Sequence, residues 1–291
     1  MNKKAFAYLL VAPTIIIITL MLLYPIALNI SYGFRDVSPF SGASKEFIGL
    51  KNYIDVFNQT AFKVALKNTI IFTVASVVIQ FLIGLPLAIL YNQNLPGQGI
   101  ARGLALVPWM IPHVVAALTW VWMLDGSLGI INEILVKLNI IDNYKYWLSD
   151  VKFALAAVTL INVWKGIPFN IMVLLAGLQT MPHELYEAAS MDGASVWQRF
   201  TNITLPLLRP QISVLFILGT IWTFRNFDLI FITTGGGPVH ATEILSTLAY
   251  KYSFEFFQMG RGAAVSNIMF VILMIFTLVY AYFLEKDTRF E

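Results

Sequence analysis

Six apolar runs decide what this chain can fold into. They lie at about residues 5–30, 67–92, 103–124, 153–179, 211–233 and 263–284, and each reaches the roughly 20 residues that an α-helix needs to cross a hydrocarbon layer. In lipid, every backbone polar group must find its partner within the structure, so runs of this kind become helices. With 58% hydrophobic and 12% charged residues, too little polar surface remains for the chain to face water on most sides. The expected fold class is therefore all-α, a polytopic membrane protein with six transmembrane helices. The first run follows Lys3 and Lys4 and is longer than a signal-peptide core, so it reads as a retained span.

Composition and missing motifs remove several functions. The formal charge of +3 is spread over loops and gives no footprint for nucleic acid. Cysteine is absent, which excludes disulfides, thiolate metal sites and cysteine nucleophiles. No Gly-x-x-x-x-Gly-Lys-Ser/Thr loop occurs, so the chain lacks the usual cradle for ATP phosphates. His113, His183 and His240 make no zinc-protease pair and read as structural or surface residues; no metal site is expected. A Gly-x-Ser-x-Gly nucleophile elbow is also missing.

Inside the spans, breaks and polar groups stand out. Gly84 and Pro86, Pro108 and Pro112, and Gly166 and Pro168 are points where a helix bends or breaks. Asn162, Lys165 and Asn170 fall in the fourth span, Arg225, Asn226 and Asp228 near the end of the fifth, and Ser266 and Asn267 at the opening of the sixth. An ionisable group at bilayer depth costs about 2.5 to 3.5 kcal/mol on insertion scales and faces a cavity or a partner. Two roles fit these residues: interhelical hydrogen bonding, or the wall of a polar pathway. Arg225 and Asp228 are three apart and could pair on one helix face. The aromatics Trp164, Phe169, Trp222, Phe224 and Phe227 lie beside them, and such rings suit the apolar C–H faces of sugars as well as a membrane interface.

One polar stretch, about residues 181–210, separates the fourth and fifth spans. Pro182 and Glu184 suit a helix start and Gly193 a helix stop. Ser195 with Gln198 reads as a capping box opening a second helix, which Pro206 and Pro210 should disrupt. Ala188, Ala189, Gly193 and Ala194 leave the turn bare of bulk, with Glu187 and Asp192 available to basic groups.

The ordered series Glu187, Ala188, Ala189, Asp192, Gly193, Ala194, Leu205, Pro206 and Pro210 closely resembles the EAA loop of the permease subunits of binding-protein-dependent ABC importers. Gly49, Leu50, Asn52 and Tyr53, the pair Asn68 and Thr69, and the turn at Gly236, Gly237 and Pro238 resemble the sugar-type members, the maltose and glycerol-phosphate importer group. That resemblance implies a type I permease fold: a first helix and extracytoplasmic linker over 1–66, a five-helix core over 67–285, and a tail over 286–291. It implies an ATPase-coupling helix at the EAA loop, two copies of an ATPase that carries ATP and Mg, a second homologous permease and an extracytoplasmic solute-binding protein, with membrane lipid around the bundle. This chain would bind no cofactor and catalyse no reaction, and its solute would be a carbohydrate or related polyol. The implied location is a bacterial or archaeal inner membrane with both termini cytoplasmic, an orientation that the loop charges do not decide. The residues of 32–66, taken singly, read as a solvated connection.

Two other classes remain. An ion-coupled secondary transporter would use Lys165 or Asp228 as its titrating group, and inverted repeats would favour it. A membrane-embedded enzyme would need a catalytic constellation.

Overall fold

The computed structural model describes residues 3–40, 46–93 and 96–288; Lys45 and Arg289, among the loop charges, and residues 41–43 of the turn-rich linker lie outside the described residues. Helices make up about three quarters of it, and among the described residues the antiparallel bridge between Arg35 and Phe47 is isolated. In chain order the helices are α1 Lys3–Ile18, α2 Tyr24–Gly33, α3 Lys51–Asn58, α4 Thr60–Tyr91, α5 Gln98–Met110, α6 His113–Met123, α7 Ile130–Lys137 and α8 Ala154–Gln179. They continue with α9 His183–Met191, α10 Val196–Arg199, α11 Leu205–Leu207, α12 Arg209–Phe224, α13 Asp228–Thr233, α14 Leu245–Tyr250 and α15 Met259–Thr288.

Four of the six runs are continuous spans: Leu10–Gly33, Thr60–Tyr91, Ala154–Gln179 and Met259–Tyr282. The other two are bent. The third turns by 93° between α5 and α6; the fifth follows a 62° bend between α11 and α12 and is itself interrupted between α12 and α13. Pro112 explains the sharper bend. A proline drives the residue before it out of the helical region, and Ile111 is extended (φ −68°, ψ 130°), so α5 stops there and Pro112 caps α6.

Proline has a different effect where a wide turn precedes it. A π turn at Thr19–Leu23 comes just before Pro25, and another at Phe200–Thr204 just before Pro206. In each, the next amide bonds five residues back: Tyr24 to the Thr19 carbonyl and Leu205 to that of Phe200. Widening the turn relieves the clash between the proline ring and the carbonyl four residues earlier. Pro206 therefore does not disrupt the helix as expected; helical backbone runs on to Leu207 and bends at Leu208.

The fifth run is also shorter than expected. Its helix ends at Phe224, and α13 opens at Asp228. Arg225 and Asp228 thus do not share a helix face, which corrects the pairing expected from their spacing.

Two compact units partition the chain, Met1–Lys63 with Leu245–Ile275, and Val64–Ile244 with Phe276–Glu291. In the first, the 32–66 connection is not simply solvated. Asn52 is buried and its Nδ2 donates to the carbonyls of Gly33 (3.0 Å) and Arg35 (2.9 Å), while the Gly260 amide donates to the Val37 carbonyl. Arg261 pairs with Asp55 at 2.8 Å. In the second unit, α8 is the central element. Of its most apolar window, 61% is buried, against none of the corresponding window in Leu10–Gly33. One end of α8 packs Val158 and Ile161 with Phe72, Leu229 and Ile230; the other packs Leu174 and Leu178 with Leu85, Leu208 and Leu215. Burying such side chains contributes about 1.5–3 kcal/mol each relative to water. Within lipid the gain comes from close packing, which small residues allow. Gly84 of α4 lies directly against Asn170 of α8, where an added Cβ would sit 2.7 Å from the asparagine Cβ.

Candidate functional site

A cavity of about 800 Å³ opens in the second unit where both broken spans meet α4 and α8. The α5–α6 break supplies Trp109 to His113, the α12–α13 break supplies Arg225 to Asp228, and α8 supplies Asn162, Lys165, Phe169 and Asn170. Broken helices suit such a wall, because irregular backbone at membrane depth is tolerated where it lines a cavity.

Lys165 is only 5% exposed, although its residue lines the cavity. Its Nζ donates to the carbonyls of Ile111 (2.5 Å) and Pro108 (3.3 Å), at the C-terminal end of α5. Beside it, Asn162 Oδ1 accepts from Asn226 Nδ2 (2.9 Å), and the Asn162 carbonyl accepts from Gln80 Nε2 (3.0 Å). Asn226 also places its Oδ1 3.4 Å from the Leu229 amide, which it accepts in the first turn of α13. Asn170 turns its Nδ2 to the Gly166 carbonyl. Asn162 Nδ2 is buried with no partner, a position where an ordered water is expected.

Aromatic rings form one side. Trp109 stacks on Phe169 (centroids 6.3 Å, 23°), and Phe169 packs on Trp222 (5.0 Å). The ionisable side chains of His113, Arg225 and Asp228 also line it, all exposed.

Seven sequence-predicted pathway residues thus meet on one cavity: Asn162, Lys165, Asn170, Trp222, Arg225, Asn226 and Asp228. Ser266 and Asn267 do not line it. The sixth span begins at Met259, so these two sit inside a helix of the first unit rather than at its opening. Ser266 Oγ donates to the Gly262 carbonyl of its own helix, whereas Asn267 bonds across helices to Asn29 (2.8 Å) and Tyr53 (2.9 Å). Among the aromatics, Phe224 is buried and Trp164 packs on Trp120. Sequence reasoning missed Gln80, Trp109 and His113. Gln80 is a lone amide in a long apolar run, and Trp109 and His113 flank the prolines of the third span; those were the available signals.

The polar 181–210 stretch forms the expected helix, turn and helix. Gly193 has φ +78°, with its amide on the Ser190 carbonyl and that of Ala194 on Ala189, the paired bonds of a Schellman stop. Ser195 and Gln198 make both bonds of a capping box. Two further bonds brace the arms: Tyr186 OH to Thr204 Oγ1 (2.9 Å) and Arg199 Nη1 to Ser190 Oγ (2.5 Å). Glu187, Ala188, Asp192 and Gly193 are exposed, Ala189, Ala194, Leu205 and Pro206 half-buried. Met191 and Trp197 are 88% and 70% exposed. Exposed apolar side chains thus stand at the braced tip.

Near Gly236–Pro238, Asn68 Nδ2 donates to the carbonyls of His240, Ala241 and Glu243, at 3.0–3.1 Å. Asn68 and Thr69 are buried, so this pair is structural rather than solvated.

Spans broken around a polar, aromatic-walled cavity define a polytopic membrane protein with an internal polar site. Residues 80–289 match the family described as binding-protein-dependent transport system inner membrane component. The chain belongs to that family, the permease subunits of ABC importers. It is 38% identical over 280 residues to the trehalose/maltose transport system permease protein MalF of Thermococcus litoralis, covering 96% of this chain and 93% of that one. It is 36% identical to the sulfoquinovosyl glycerol transport system permease protein SmoG of Agrobacterium fabrum, over 96% and 90% of the two chains. A crystal structure of a bacterial ABC transporter involved in the import of the acidic polysaccharide alginate contains a chain of the same fold, with a TM-score of 0.85 at 23% identity, covering 98% of this chain and 96% of that one.

Proposed function

We propose that this permease forms half of a transmembrane pathway for a carbohydrate or related polyol, and that solute passes through the 800 Å³ cavity. The observation that carries this reading is the Trp109, Phe169 and Trp222 wall facing the amides of Asn162, Asn170 and Asn226. Sugar rings offer apolar C–H faces to stack and hydroxyls to bond, and a site with both kinds of wall answers both needs. The relatives named for trehalose/maltose and sulfoquinovosyl glycerol transport support the same class.

The braced tip at Glu187 to Ala194, with Leu205 and Pro206 at its root, is the ATPase-coupling element in this reading. Two copies of a separate ATPase would bind ATP and Mg and do the hydrolysis; this chain would hold no cofactor and catalyse nothing. A second, homologous permease would complete the pathway and an extracytoplasmic binding protein would deliver solute. The working division is the first helix and linker over 1–66, the core over 67–285 and the tail over 286–291, with both termini cytoplasmic.

The test is ATP-dependent uptake by proteoliposomes holding the complete purified assembly, with a panel of radiolabelled mono- and disaccharides and polyols. One class should be taken up, and Trp222→Ala should raise KM for it. Uptake that persists without ATP and collapses with the ion gradient would put a secondary transporter in its place.

A further inference from the structure

We propose that Lys165 is a positioning residue that clasps the broken third span, and not a ligand of the solute. The inference rests on reading the cavity as the pathway. Two carbonyls at the end of α5 have lost their ordinary partners. That of Pro108 would accept the amide four residues on, but position 112 is proline and has no N–H. That of Ile111 belongs to an extended residue and lies outside both helices. The two carbonyls converge on one Nζ, at 3.3 and 2.5 Å, offered from α8 more than fifty residues away in sequence.

The chemistry of the clasp is specific. A helix C-terminus carries partial negative charge, and an ammonium is a compact cation with three donors, able to serve both oxygens and to offset that charge. Lys165 is 5% exposed, so water has little access to the clasp. The 93° bend brings Trp109, Ile111 and His113 onto the cavity wall. Its geometry depends on the clasp, so the ammonium acts on transport through the shape of the wall. It follows that Arg225 and Asp228, not Lys165, are the formal charges the cavity presents to a solute.

The chain has no cysteine, so a single introduced thiol is a clean reporter. Ile111→Cys keeps the backbone acceptor and places a thiol at the clasp. The experiment combines it with Lys165→Met and with Lys165→Arg in the complete assembly, and measures uptake kinetics together with the rate of methanethiosulfonate labelling. Loss of the clasp should lower the maximal uptake rate about tenfold or more, because the wall loses the shape that transport needs. KM should stay within about twofold, since ground-state solute binding is untouched. Labelling at position 111 should become several-fold faster, and Lys165→Arg, which still donates to both carbonyls, should recover part of the rate. A KM raised tenfold with labelling and rate unchanged would show that the ammonium binds solute and overturn the proposal. Unchanged rate and labelling would overturn it too. If the methionine variant does not accumulate in membranes, Lys165→Gln is labelled instead, and wild-type labelling there counts against the clasp. Labelling needs no solute, so a failure of the carbohydrate reading leaves the clasp separately decided.

Discussion

Substituting Gly84 and Gly166 separates two ways in which α4 and α8 hold together beside the cavity. In Gly84→Ala the new Cβ would lie 2.7 Å from Asn170 Cβ and 3.6 Å from the Asn170 backbone carbon. Carbon atoms pack at about 3.5–4.0 Å, so roughly 1 Å is missing, and the obstructing atom is fixed to the backbone of α8. The helices must move apart, at about 1–3 kcal/mol. In Gly166→Ala the gap is smaller still, 2.3 Å, but the obstruction is the amide end of Gln80. That side chain can swing away, giving up its 3.0 Å bond to the Asn162 carbonyl, for about 1 kcal/mol. The tighter contact is thus the cheaper one to relieve. Thermal unfolding of the detergent-purified chain should place Gly84→Ala below Gly166→Ala, and uptake should follow the same order. Equal midpoints, or the reverse order, would refute the reasoning that backbone-anchored contacts set the cost.

Three other outcomes are expected. Gly193 has φ +78° and open space for 4 Å around the point where a Cβ would stand, so Gly193→Ala should cost about 1 kcal/mol of strain, Gly193→Asn much less and Gly193→Val more; ATP-driven uptake should rank Asn, Ala, Val, and an asparagine variant as inactive as valine would mean that the partner requires a bare backbone. Asn226→Leu removes the 2.9 Å bond to Asn162 Oδ1 and leaves a buried acceptor unpaired, lowering stability by about 1–3 kcal/mol, to be read from thermal midpoints against the parent protein. The Asp125 carboxyl is held below its ordinary 3.8 by the amides of Leu128 and Ser127. A depressed carboxyl contributes stability that is present above the ordinary value and lost as pH falls through the lowered one, so the 125–128 turn should loosen only in acid. Hydrogen exchange at those two amides checks this, and Asp125→Asn should flatten the dependence.

What was legible in the sequence follows the range of the forces involved. The spans could be read because the requirement to satisfy backbone groups in lipid acts locally, and α4, α8 and α15 cover the expected runs. The Gly193 stop and the Ser195 box were legible for the same reason: their partners lie within five residues. The role of a polar residue in a span was not. Asn162 and Asn267 are alike in sequence, yet one borders the cavity and the other ties α15 to α2 and α3, because neighbours far along the chain decide it. The bend at Ile111 was signalled by Pro112, but the meeting of its free carbonyls with Lys165 was not, because no local pattern links residues so far apart in the chain. His113 reads as inert for want of a partner nearby in sequence, yet it lies on the cavity wall.

The contrast between α8 and the first span bears on how freely each can change over time. Leu10–Gly33 has no buried residue in its apolar window, so what holds there is a bulk property, enough hydrophobicity to stay in lipid. Leucine, isoleucine, valine and methionine are interchangeable under that condition, and its residues are free to drift until Asn29 and Gly33, which meet Asn267. In α8, most side chains meet particular neighbours, and Gly166, Asn170 and Gly177 sit where even one methyl group collides or a bond is lost. Two helices that both qualify to cross a bilayer thus store different kinds of information: the first a composition, the other a spelling.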